Sequence, residues 1–134
     1  MQIATFAAID IGTYDVFLEI FEISRKQRIK SIDKIRHRIE LGKDTYSDGK
    51  ISPELEEELC AVLEDFVRIM DGYKVDAYRA VASSALREAQ NSLFIIGKIR
   101  QLTGLEVTIL SNSEQRFLSY KALATMETDF NKII

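Results

Sequence analysis

Several residue types are nearly missing: the 134 residues hold one cysteine, one histidine, one proline, six glycines and no tryptophan. A disulfide framework and a cysteine–histidine zinc site are therefore excluded. Scarce glycine and proline, with 46% hydrophobic and 29% charged residues, also rule out a disordered or low-complexity chain. No apolar run reaches the roughly 20 residues that cross a bilayer. The start of the chain lacks the charged and apolar parts of a signal peptide, so a cytoplasmic location is expected. The net charge of -3 argues against a surface given over to nucleic acid, and no basic patch is interleaved with stacking aromatics. Cys60, among Leu59, Ala61, Val62 and Leu63, reads as a buried, inert thiol, and His37 as structural.

What is present suits one folded domain of α/β class. Gln2 to Ile9 reads as a buried strand, Asp10-Ile11-Gly12-Thr13 as a turn, and Val16 to Phe21 as a returning strand. A third strand, about Arg28 to Leu41, leads into a loop holding Gly42, Asp48 and Gly49. Ser52-Pro53 is a helix start, and Leu55, Leu59, Val62, Leu63, Phe66, Ile69 and Met70 share one helical face that ends near Gly72. Tyr78 to Ala82 reads as a strand, followed by a short helical stretch at Leu86 to Ala89 and a helix from Leu93 to Leu102, closed at Gly104. A strand at Glu106 to Leu110 and a helix from Ser113 to about Thr128 finish the chain. The order is βββαβαβα with an extra short helix, which predicts a five-stranded mixed sheet. That is the arrangement of a ribonuclease H-like (actin-like ATPase) lobe.

Charge patterning adds a second feature. If residues 28–38 form a regular strand, Arg28, Lys30, Lys34, Arg36 and Arg38 share one face, and Ile29, Ile35 and Ile39 the other. Such a face either protects a sheet edge or binds an anion. At the first turn, Gly12 lets backbone amides approach an anion and Thr13 can donate its hydroxyl proton. Asp10 beside them would face a metal-bound water.

Four stretches carry a resemblance to a known family: Phe6 to Thr13, Arg38-Ile39-Glu40-Leu41-Gly42, Ala80 to Ala89 (AVASSALREA), and Ser111-Asn112-Ser113-Glu114-Gln115. On these the chain resembles the exopolyphosphatase and guanosine pentaphosphate phosphohydrolase (Ppx/GppA) family of the actin-like ATPase superfamily. The resemblance implies an N-terminal lobe, residues 1–134, whose second lobe would follow with a second glycine-rich phosphate turn. It also implies a hydrolase that releases terminal phosphate from polyphosphate or guanosine pentaphosphate with Mg²⁺ or another divalent cation. Gly12, Thr13, Tyr14 and Arg87 are then the expected phosphate contacts, and Asp10 and Asp15 the expected metal ligands. Placed after a parallel strand, Arg87 would reach from the C-terminal edge of the sheet and could fork two phosphate oxygens. Actin-like sugar kinases share the first turn but not the Arg38–Gly42 and Ala80–Ala89 stretches.

Two positions depart from the family pattern. Where the family usually reads Ser-Asn-Ser after the first glycine, this chain has Thr13-Tyr14-Asp15. A carboxylate at about 5 Å from a phosphate charge, in an effective dielectric near 20, costs roughly 3 kcal/mol, about a hundredfold in binding. A metal between them reverses that sign, and a solvent-facing Asp15 is the other reading. The family's paired glutamates near the last helix, the second implied as general base, are here Glu114-Gln115. An amide cannot take a proton at neutral pH, and adjacent helical residues point about 100° apart, so Glu114 does not simply substitute. Glu114 also reads as a carboxylate favoured at a helix start. The alternative function is thus a degenerate relative that binds a phosphate-rich ligand or partner without hydrolysis. In either case the isolated lobe is expected to be inactive, its partner is the second lobe of the same chain, no membrane or nucleic acid is involved, and a homodimer stays open.

Overall fold

The structure, a computed structural model, describes residues 3–26 and 28–114. Five strands form one mixed sheet: β1 (Ile3–Ile11), β2 (Asp15–Ser24), β3 (Ile29–Arg38), β4 (Ala77–Ala82) and β5 (Val107–Ile109), in the order β3-β2-β1-β4-β5. The first three are antiparallel, whereas β4 and β5 run parallel to β1. Connections supply the helices: α1 (Leu41–Asp48) and α2 (Pro53–Tyr73) lie between β3 and β4, and α3 (Ser84–Glu88) and α4 (Ser92–Thr103) between β4 and β5.

Alternation along the strands decides which face is covered. Ala7, Ile9 and Ile11 of β1 pair with Ile20, Leu18 and Val16 of β2, and all six are buried. On β4, Ala80 and Ala82 continue that face opposite Ile9 and Ile11. Leu59, Leu63 and Phe66 of α2 and Ile95 and Ile99 of α4 complete the same core. Each large aliphatic side chain fully buried there contributes about 1.5–3 kcal/mol. Ser52 caps α2 by accepting a hydrogen bond from the Leu55 amide at 3.3 Å, with Pro53 in the first turn. The one charge buried in this layer, Glu56, is paired with Lys98 of α4 at 2.8 Å. Cys60 is buried, and burial is the largest of the effects that push its thiol pKa up, as an inert cysteine requires. His37 packs its ring on Phe66, with centroids 5.8 Å apart.

Several expected boundaries shift. β3 stops at Arg38, and the stretch expected as a loop is α1. Gly42, Thr45, Ser47 and Asp48 are weak helix formers, so local preference hides this helix. It forms because tertiary bonds hold it: Thr45 Oγ1 donates to the Ala85 carbonyl at 2.8 Å, and Gly49, in the left-handed region at φ 78°, closes it by donating to Thr45 O. α2 ends at Tyr73, beside Gly72 as expected, but Lys74 at φ 56° and not the glycine takes the left-handed cap.

The cationic face predicted for the third strand is also broken. Ile20 pairs with Asp33 but Phe21 with Ser31, so Ile32 is an extra residue in β3. A bulge of this kind inverts the alternation. Lys34, Arg36 and Arg38 share a face opposite Glu19, Phe17 and Asp15, whereas Lys30 lies opposite Glu22 on the other face, and Arg28 precedes the strand. Asn112, Ser113 and Glu114 begin a helix, and the remainder of the helix expected to about Thr128 lies outside the described residues.

Candidate phosphate site at the first turn

β1, β4 and β5 are parallel, so their C-terminal ends share one edge of the sheet, the edge where ligands of α/β sheets bind. The first turn stands at that edge. Gly12 closes it by donating its amide to the Asp15 carbonyl at 2.8 Å, and a Cβ there would lie 3.1 Å from that oxygen. Ser83 N donates to Ile11 O at 3.2 Å, fastening the end of β4 beside the end of β1.

Two helices converge on the turn. From α1, the Gly42 amide donates to Thr13 O at 2.9 Å, and a Cβ on Gly42 would collide with Thr13 Cγ2. From α3, Ser84 Oγ lies 3.0 Å from Thr13 Oγ1, and Tyr46 OH of α1 donates to the same Ser84 oxygen at 3.0 Å. Beside this hydroxyl cluster a groove of about 320 Å³ is lined by Tyr14, Glu40, Gly42, Lys43 and Tyr46. Gly12, Thr13 and Tyr14, the expected phosphate contacts, lie at this turn, with Tyr14 lining the groove. Ser84 and Tyr46 were missed: a serine before a short helix reads as a cap, and nothing in a polar eight-residue helix marks Tyr46.

Asp10 and Asp15 point to one face of the sheet, because Asp10 pairs with Phe17, two residues from Asp15. Partial burial, and then the Asp15 charge, raise the Asp10 carboxyl above the usual aspartate range. Arg36 on the same face lies 3.4 Å from Asp15 and offsets part of that negative charge. Among the described residues no group of three or more His, Cys, Asp or Glu could hold a metal by itself. Asp10 and Asp15 are oxygen donors of the kind a hard divalent cation takes, with the Asp15 carboxylate already facing Arg36.

Arg87 sits just beyond β4 as expected, with its guanidinium engaged. Nη1 donates to Leu110 O and Nη2 to Asn112 Oδ1, both at 2.7 Å, Nε contacts Glu88 at 3.3 Å, and the side chain is 18% exposed. Forking a phosphate would require Arg87 to exchange some of these partners. Glu114 has a structural contact: its amide donates to Ser111 Oγ at 3.0 Å, and Ser111 N donates back to Glu114 Oε1 at 3.4 Å. This reciprocal capping box was readable as Ser111-x-x-Glu114. Gln115 lies outside the described residues.

Residues 20–133 match the Ppx/GppA phosphatase family. The chain belongs to that family. The matched interval starts after the first turn, so the reading of Asp10 to Thr13 rests on the geometry above. Exopolyphosphatase 1 of Mycobacterium tuberculosis is 25% identical over 115 residues, 86% of this chain and 33% of the relative. The bifunctional 3-dehydroquinate synthase/phosphatase of Fusobacterium nucleatum is 25% identical over 131 residues, 92% of this chain and 20% of that protein. Among solved structures, the Aquifex aeolicus Ppx/GppA family member superposes with a TM-score of 0.80 at 29% identity, covering 83% of this chain and 36% of that one. An exopolyphosphatase from Cytophaga hutchinsonii gives 0.77 at 25% identity, covering 81% and 35%. The chain therefore spans about a third or less of the length of the curated relatives it matches. The Ppx/GppA likeness agrees with the sheet order in assigning the ribonuclease H-like, actin-like ATPase fold.

Proposed function

We propose that these residues form the N-terminal lobe of a phosphoanhydride hydrolase that releases terminal phosphate from polyphosphate or guanosine pentaphosphate. The observation that carries this reading is the glycine turn at the C-terminal edge of β1 and β4, where the Thr13 and Ser84 hydroxyls stand 3.0 Å apart. Hydroxyl and amide donors fixed in advance can stabilise a transferring phosphoryl group without reorganising. Gly12, Thr13 and Tyr14 would approach the phosphate. Asp10 and Asp15 would hold Mg²⁺, which when bound neutralises phosphate oxygens. Arg87 would turn its guanidinium from Asn112 toward the ligand. The second lobe would close the site.

A second reading, binding without hydrolysis, is favoured by Gln115. It places an amide where the family carries the carboxylate implied as base. Phosphate release by the full-length protein with Mg²⁺ separates the two. Hydrolysis by the wild type, reduced at least about tenfold in Arg87→Ala, is expected. Activity untouched by Arg87→Ala would remove that residue from the site. An inactive wild type that gains activity in Gln115→Glu would establish the binder. No release is expected from residues 1–134 alone, and turnover by them would overturn the two-lobe reading.

A further inference from the structure

Thr13, Ser84 and Tyr46 come from three separate elements, yet their hydroxyls form one chain: Tyr46 OH to Ser84 Oγ at 3.0 Å, and Ser84 Oγ to Thr13 Oγ1 at 3.0 Å. The proton count of this chain is informative. Three hydroxyls carry three protons, and the two internal hydrogen bonds use two of them. Tyr46 is the donor of the first bond, so its proton is committed to Ser84. The second bond uses the proton of either Ser84 or Thr13, and the other hydroxyl keeps a proton with no partner inside the chain.

We infer that Tyr46 and Ser84 are positioning residues that turn the first turn into a directed hydrogen-bond donor for a tetrahedral oxyanion. The inference rests on the reading of this turn as a phosphate loop and deepens it. With Tyr46 occupying one lone pair of Ser84, Ser84 and Thr13 between them present a free O–H to the ligand. Without Tyr46, that lone pair is open to face the oxyanion, and the Ser84–Thr13 pair loses the bond that fixes its orientation. Tyr46 suits this role. Its ring lines the groove and is 59% exposed, so it adds little to the core. Its hydroxyl reaches from α1 to α3, across 38 positions of sequence. The Gly42 amide bond to Thr13 O fixes α1 to the same turn, so tyrosine and threonine are held in one frame.

The test is calorimetric titration of inorganic phosphate, with Mg²⁺, into the full-length protein. Tyr46→Phe keeps the ring and removes one hydrogen bond, and is expected to weaken phosphate about fivefold. Ser84→Ala should weaken it about tenfold or more, and Ser84→Thr, which restores a hydroxyl, should recover most of the affinity. Because Tyr46 acts through Ser84, the double variant Tyr46→Phe/Ser84→Ala should bind no worse than Ser84→Ala alone. A merely structural role would instead lower the unfolding midpoint and leave phosphate affinity per folded molecule unchanged. Independent, multiplying losses in the double variant, or wild-type affinity in Tyr46→Phe, would overturn the inference. Thr13→Val separates the two levels: if it weakens phosphate while Tyr46→Phe does not, only the relay fails. If Thr13→Val also binds normally, the phosphate-loop reading fails and the relay with it.

Discussion

The α2–α4 layer and the edge around the first turn are built from different forces. The layer is apolar: Leu59, Leu63, Phe66, Ile95 and Ile99 are fully buried, and its single buried carboxylate, Glu56, is paired with Lys98. The edge is held by directional polar contacts between distant segments, such as Gly42 N to Thr13 O, Thr45 Oγ1 to Ala85 O, and Asn91 bridging both backbone groups of Ile51. Burial is non-directional and tolerates small shifts, whereas a hydrogen-bonded cluster works only at one geometry. Stability thus resides in one region and the geometry of the candidate site in the other.

That division can be broken from either side. The largest effect is expected in the layer: Phe66→Ala should cost about 3–5 kcal/mol in chemical denaturation, with phosphate affinity of the molecules that stay folded unchanged. A loss of affinity there would show that the two regions are coupled. Gly42→Ala should do the reverse, costing about 1–3 kcal/mol while shifting Thr13 and sharply weakening phosphate. Gly49→Ala, at φ 78° with Gln90 Nε2 3.0 Å from the new Cβ, should cost about 1–2 kcal/mol through backbone strain. Its effect on phosphate should be smaller, since it loosens only the far end of α1.

The smallest expected effect is on pH dependence, and it sharpens the comparison most. The Asp10 pKa is raised from 3.8 in the folded protein, so the fold binds a proton there more tightly than the unfolded chain. Its contribution is complete below the unfolded value and is lost as pH rises through the folded one. Asp10→Asn should therefore flatten that part of the profile of urea midpoint against pH. Mg²⁺ should raise the wild-type thermal midpoint above the folded pKa of Asp10, and do so less in Asp10→Asn. Equal Mg²⁺ shifts in both proteins would remove Asp10 from the cation site.

Legibility in the sequence follows the same divide. The first strand, the helical stripe of α2 and the Ser52-Pro53 cap all depend on neighbours within a turn or a strand, and the structure has them, with β1 running on through Asp10 and Ile11, which the sequence placed in the turn. The bulge at Ile32 was not legible, because it is set by pairing with β2 and not by β3 itself. α1 was hidden because Thr45 and Gly49 are stabilised by partners in and beside α3, about 40 positions away. The capping box of Ser111 and Glu114 is local and so is written in the sequence as Ser-x-x-Glu.

The sequence by itself determined the α/β class, the order of the five strands, the helices α2 and α4 and the glycine turn, since each follows from short-range periodicity or backbone freedom. Tertiary structure alone decided that Tyr46 and Ser84 meet Thr13, that Arg36 moderates Asp15, and that Arg87 is held by Leu110 and Asn112. The physical reason is that a hydroxyl or guanidinium carries no local signature of its partner. Its role is set by which segments the packed sheet brings within 3 Å or so of one another.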